Sequence, residues 1–184
     1  MITLLFIHSA GAQGPGEGSD AFLSALRPML PPEIRLLAPF MPEPEAPKAQ
    51  SWAAAIAAQI RAIDGDFILL GHSLGGSAIL QVLARAGVPQ NLLGVVTLAA
   101  PFWGAPDWAY DEYALPADAG EKLGGRFALR ILHGADDDVV AGDHPERYKN
   151  ILPQARVHIL PGIDHQAANA GPEVLEALNA ITAL

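Results

Sequence analysis

The sequence predicts an α/β fold: a doubly wound, mostly parallel six-stranded sheet with helices on both faces. Three observations predict it. Six short apolar runs recur along the 184 residues, at 2–7, 34–38, 67–70, 93–99, 128–132 and 155–160. Most are near-continuously apolar and rich in Ile, Val and Leu, as strands covered on both faces are. The segments between them carry a helical period. A glycine-rich turn follows the third run and leads directly into a helical segment.

The elements follow in order. Run 2–7 starts directly after Met1. Ser19 or Asp20 can cap a helix through Phe22, Leu23 and Leu26. Run 34–38 leads into 39–47, a Pro-rich stretch that reads as a stiff, partly extended loop. Trp52, Ile56, Ile60 and Ile63 then make one apolar helix stripe. Run 67–70 precedes the glycine turn, and 77–86 reads as a helix. Segment 102–126, after run 93–99, holds Phe102, Trp103, Trp108, Tyr110 and Tyr113, five of the chain's twelve aromatics. A linker would not need them, so it reads as a small cap or substrate-side insertion in one domain spanning 1–184. The last helix, 172–184, starts with Pro and carries Glu173 and Glu176 in its first turns, with Val174, Leu175, Leu178 and Ile181 on one face. Right-handed crossovers place such helices on both faces. Ligands bind beyond the carboxyl ends of the strands, so the residues after each run are the ones to inspect.

Composition narrows the function. Hydrophobic residues make up 51% and charged residues 17%, a globular balance. A net charge of −9 repels phosphate backbones and anionic membrane surfaces, so neither nucleic acid nor membrane is an expected partner. The absence of cysteine removes disulfides, thiolate metal sites and a cysteine nucleophile. No signal-like region precedes the first run and no apolar stretch approaches the roughly 20 residues of a membrane span, which gives a cytoplasmic expectation. Gly11, Gly14, Gly16 and Gly18 do not form a phosphate loop: neither a G-x-G-x-x-G with a following acid nor a Gly-Lys-Ser/Thr is present.

The chemistry centres on Gly71-His72-Ser73-Leu74-Gly75-Gly76. This is G-x-S-x-G between an apolar strand and a helix, a strained turn that presents its serine as a nucleophile. Side chains at 71 and 75 would collide with the neighbouring strand and helix. The helix amino end favours negative charge beside Ser73. His72 sits next to the nucleophile on a tight turn, so packing or a strand-end hydrogen bond suits it better than the role of base. A serine hydroxyl needs a base within hydrogen-bonding distance. Of six histidines, His165 lies in a strand-end loop on the catalytic side. His158 lies inside a strand, His133 heads the loop of Asp136, Asp137 and Asp138, and His144 sits in a charged helical segment.

HSAG at 8–11, GHSLGG at 71–76, HGADDDVV at 133–140 and PGIDH at 161–165 together resemble the α/β-hydrolase superfamily, in its order of oxyanion loop, nucleophile, acid and base. The short length and LAAPFW after the fourth run look like the small serine hydrolases related to retinoblastoma-binding protein 9. The first strands and the large cap of bigger family members have no counterpart here beyond 102–126, a minimal version with little or no cap. The resemblance implies a Ser73–His165–Asp137 triad, counting the acid three residues after Gly134, with Asp136 as the alternative. Asp138 then faces solvent or caps the next turn, and Asp164 is a turn residue. The resemblance also implies an oxyanion hole from the amides of Leu74 and Ala10, with Ser9 where the family usually has glycine.

The activity expected is hydrolysis of a small-molecule carboxylic ester with a small or exposed acyl group, through an acyl-enzyme and without metal or cofactor. Thioester or amide hydrolysis and perhydrolysis on the same triad remain alternatives, as does a non-catalytic interaction module. Ser9, Phe102, Trp103 and Trp108 are the candidate substrate contacts.

Overall fold

The computed structural model describes residues 1–109 and 111–182. The expected features at Tyr110, and the last two residues of the helix and domain expected to end at 184, lie outside the described residues. Six strands, β1 (Ile2–Ile7), β2 (Ile34–Leu37), β3 (Phe67–His72), β4 (Leu92–Leu98), β5 (Ala128–Gly134) and β6 (Arg156–Leu160), form one sheet in the order β2-β1-β3-β4-β5-β6. Every neighbouring pair is parallel. The chain winds one way from β1 to β2 and the other way from β3 onward. The switch point therefore lies between the carboxyl ends of β1 and β3.

Alternate residues of each strand point to opposite faces. Leu5, Ile7, Phe67, Leu69, Val95, Leu129 and Ile131 pack on one side, against helices α2 (Ala49–Arg61), α3 (Leu74–Ala86), α4 (Ala119–Leu123) and α5 (His144–Ile151). Leu4, Phe6, Ile68, Leu70, Val96, Leu98, Leu132 and Leu160 pack on the other, against α1 (Asp20–Leu26) and α6 (Gly171–Thr182). The expected strands and helices are all present, and the minimal hydrolase-type architecture holds. Two boundaries differ usefully. β3 runs two residues further than its apolar run, and β5 reaches Gly134, so both strands carry backbone order into the catalytic turns. No helix among the described residues is long and apolar enough to cross a membrane.

One helix start departs from expectation. Ser19 occupies the position before α1, yet its side chain makes no capping bond. Its hydroxyl is buried and turned toward Ser9 and His72 instead.

The turn after β3 depends on close approach. A Cβ on Gly71 would lie 2.5 Å from the Gly76 nitrogen, and one on Gly75 would run into the Ile7 carbonyl oxygen at the end of β1. These are backbone obstacles and cannot swing aside. Gly75→Ala should therefore destabilise the fold by about 3 kcal/mol or prevent it, as overpacking against rigid neighbours does. Gly142→Ala, which meets nothing within 4 Å, should change stability by less than about 0.5 kcal/mol. Urea midpoints of the two variants check the contrast.

Candidate active site

Ser73 leaves β3 at φ 50° and ψ −122°, a left-handed backbone rare for a residue with a side chain. Three bonds hold it there. Its amide donates to the Leu98 carbonyl at 2.8 Å, and its carbonyl accepts from Gly76 at 3.0 Å and Ser77 at 3.5 Å. The hydroxyl is thus aimed off the sheet edge at the start of α3.

The loops after β5 and β6 are stitched together. The Ala135 amide donates to Leu160 O at 2.9 Å and the Asp136 amide to Ile163 O at 3.1 Å. Asp164 Oδ1 accepts from the Ala167 amide at 3.0 Å, closing the turn around His165. The outcome is a continuous line of side chains. His165 Nε2 lies 3.1 Å from Ser73 Oγ, and His165 Nδ1 lies 2.9 and 3.0 Å from the two carboxylate oxygens of Asp137. A carboxylate only accepts, so Nδ1 carries the ring proton, and Nε2 is left to accept from the serine hydroxyl.

Among the three consecutive aspartates, only Asp137 turns inward; Asp136 and Asp138 are exposed. The cap of the following turn comes from Asp137 itself, whose Oδ1 accepts from the amides of Val139 at 3.0 Å and Val140 at 2.8 Å. Burial pushes its carboxyl up, but these amides and His165 outweigh burial and hold it below the usual carboxylate range. His133, behind it, donates from Nε2 to Val140 O at 3.0 Å and is kept neutral chiefly by burial. No group of three or more metal-ligating side chains occurs among the described residues.

A cavity of about 590 Å³ opens beside Ser73. Ser9, Ala10, Leu74, Trp103, Trp108 and His165 all line it. No hydrogen bond from the Ala10 or Leu74 amide to the protein is found among the described residues. The two tryptophan rings meet edge to face at 4.9 Å, and Tyr113 lies 5.6 Å from Trp103. Phe102, expected at the substrate, is not among the lining residues. Its ring packs edge-on to buried Tyr148 at 5.1 Å, while its amide donates to His144 Nδ1 at 2.7 Å. The Trp108 segment is pinned from outside: Arg147 grips both carboxylate oxygens of Asp107 at 2.8 and 3.0 Å and also bonds Asp143. Sequence reasoning missed Tyr113, Glu112 and Val139 as cavity walls. Nothing local distinguishes them, because the turns that bring them in are set by tertiary packing.

The site invites comparison with known proteins. A family model described as serine hydrolase matches residues 36–178. Across 91% of its length the chain is 33% identical to the biotin biosynthesis bifunctional protein BioHC of Cellvibrio japonicus, and it spans 32% of that longer relative. The structure superposes on the ydeN gene product of B. subtilis with a TM-score of 0.82 at 17% identity, covering 100% of both chains. It superposes on a meta-cleavage product hydrolase of Pseudomonas fluorescens IP01 with a TM-score of 0.72 at 16% identity, covering 99% of this chain and 89% of that one. At such identities these two likenesses establish the fold.

The lowered Asp137 carboxyl sets a pH test. Its folded value lies below the unfolded one, so its contribution is present above the unfolded value of about 3.9 and is lost as pH falls through the folded value. The stability gap between the native protein and Asp137→Asn should therefore be present at pH 8 and shrink below about pH 4. Denaturation series across that range check it.

Proposed function

The chain belongs to the serine hydrolase family, and on that premise we propose that it hydrolyses carboxylic esters through an acyl-enzyme on Ser73. The observation that carries this reading is the Ser73–His165–Asp137 line, with 3.1 Å and 2.9 Å between its members. Ser73 Oγ forms a bond to the ester carbonyl carbon while its proton passes to His165 Nε2. Negative charge gathers on the carbonyl oxygen, where the amides of Leu74 and Ala10 donate to it. The bond to the leaving oxygen breaks as His165 returns the proton to it, and an alcohol departs. Water then adds to the acyl carbon, giving its proton to His165. The C–O bond to Ser73 breaks, and the carboxylic acid is released with the serine reprotonated. Asp137 keeps the ring proton on Nδ1 and stabilises the imidazolium that forms twice per cycle. No step calls for a metal or cofactor.

The cavity supports a substrate class. Its volume falls in the range of about 300–1,000 Å³ that encloses drug-sized ligands. An acetyl group would leave most of it unfilled. Trp103, Trp108, Tyr113, Leu74 and Pro101 give it apolar walls, and Glu112 brings the one carboxylate among its described lining residues. The acyl group stays joined to Ser73 at the cavity floor through half the cycle. The cavity thus favours a larger acyl group than the small one expected from the sequence: a neutral, apolar group of aromatic or medium-chain size suits this site, and one ending in a carboxylate would meet Glu112 and the chain's net charge of −9. Residues 102–109 and 111–126 act as a small cap on this side.

Ser73→Ala should abolish labelling by a fluorophosphonate and turnover of p-nitrophenyl esters. Asp137→Asn should lower kcat by about 10⁴. Labelling retained in Ser73→Ala would remove the reading, and a parallel series of thioesters and amides identifies the bond cleaved best.

The cavity walls make a separate forecast. The native protein should prefer p-nitrophenyl hexanoate or benzoate to acetate, and Trp103→Ala should flatten that preference. A profile of rate against acyl length that Trp103→Ala leaves unaltered would take the tryptophan out of the substrate's path.

A further inference from the structure

His72 and Ser19 lie outside the proposed triad and are deeply buried: Ser19 is 0% exposed, and His72, which also lines the cavity, 1%. Polar side chains this deep are costly unless each hydrogen-bonding atom is satisfied. Both are satisfied, and by one another. His72 Nε2 lies 2.8 Å from the backbone carbonyl of His165, and His72 Nδ1 lies 2.9 Å from Ser19 Oγ. Ser19 Oγ in turn accepts from the Ser9 amide at 3.1 Å and sits 3.2 Å from Ser9 Oγ.

The direction of each bond follows from the acceptor at one end. A carbonyl cannot donate, so His72 Nε2 must carry a proton. Burial lowers His72 to about 4, which leaves the ring neutral with a single proton. Nδ1 is then bare and accepts, so the Ser19 hydroxyl must donate to it. That commits the one Ser19 proton and leaves its lone pairs facing Ser9. The chain of bonds has one self-consistent polarity, running from the Ser9 amide through Ser19 and His72 to the His165 carbonyl.

We propose that His72 and Ser19 form a buried positioning relay that ties the oxyanion loop after β1 to the loop carrying His165, with the nucleophile turn between them. The relay rests on the catalytic reading above and extends it to two residues with no part in bond making. Its geometry explains the identities. The two ring nitrogens of His72 face opposite ways and bridge two loops from a position one residue before the nucleophile. Ser9 is the residue before Ala10, so fixing the Ser9 amide fixes the backbone that presents the Ala10 amide. His165 is held at its main chain by His72 and at its ring by Asp137 and Ser73, so the relay fixes the backbone from which its imidazole projects.

The test separates positioning from folding. Variants His72→Phe, His72→Gln and Ser19→Ala are compared by kcat per fluorophosphonate-titrated site, by KM and by melting temperature. His72→Phe keeps a planar aromatic ring and removes both bonds. His72→Gln can supply one donor and one acceptor. Displacement of a catalytic group by about 1 Å can cost on the order of 100-fold. His72→Phe should accordingly lose about 10- to 100-fold in kcat per titrated site with KM within about twofold. Ser19→Ala should lose about 3- to 10-fold, and His72→Gln should recover most of the loss in His72→Phe. Unchanged kcat per titrated site in Ser19→Ala and in whichever His72 variant folds would overturn the relay, whatever their melting temperatures. A second readout does not need activity. Nitrogen-15 spectra of the native protein should show His72 protonated on Nε2 alone from pH 8 to pH 5. An Nδ1-protonated or charged ring in that range would also overturn it. A native protein that cleaves no ester yet shows this tautomer would count against the proposed reaction and leave the bonded relay standing as its own result.

Discussion

A serine held in the left-handed region costs about 1–3 kcal/mol, and the structure around Ser73 exists to hold it there. The strain is distributed over the turn's neighbours. Gly71 and Gly75 let α3 sit almost in contact with β3 and with the end of β1. The Leu98 carbonyl extends the β3·β4 ladder by one residue and grips the Ser73 amide. Relaxing the turn would require separating strands whose side chains are mostly buried on both faces. A rigid two-sided core is thus what allows a reactive hydroxyl to stand at the edge of the sheet.

Around that hydroxyl the protein uses histidines in two ways. His165 faces a carboxylate directly. His72, His133 and His144 are buried, pushed down mainly by that burial, and each holds a backbone group of a nearby loop. His72 reaches His165 O, His133 reaches Val140 O, and His144 accepts from the Phe102 amide. A neutral imidazole has one donor and one acceptor on opposite sides of a rigid ring, and His72 uses both to bridge. The arrangement keeps positive charge away from the site except where the chemistry creates it, on His165, beside the ionised Asp137.

These uses explain what is legible in the sequence. Apolar runs report strands because both faces of the sheet are covered. The nucleophile turn is legible because its glycines are demanded by backbone collisions, which leave no latitude in residue type. Asp137 can be told from Asp136 only through the count that family likeness supplies, since an exposed and a buried aspartate are the same letter. Ser19 reads as a helix cap because it stands where caps stand, yet tertiary contact with His72 claims its hydroxyl. Phe102 and Trp103 are adjacent and equally aromatic, but one turns to Tyr148 and the other to the cavity. Such choices depend on neighbours distant in sequence, so local pattern cannot make them.

The covalent intermediate is the most direct point of attack. Mixing the protein with excess p-nitrophenyl hexanoate, quenching in acid within the first turnovers and weighing the intact chain should show one added hexanoyl group. Fragmentation should place it on Ser73. Hydrolysis that proceeds with no such adduct under any quench time, or an adduct on another side chain, would contradict the account.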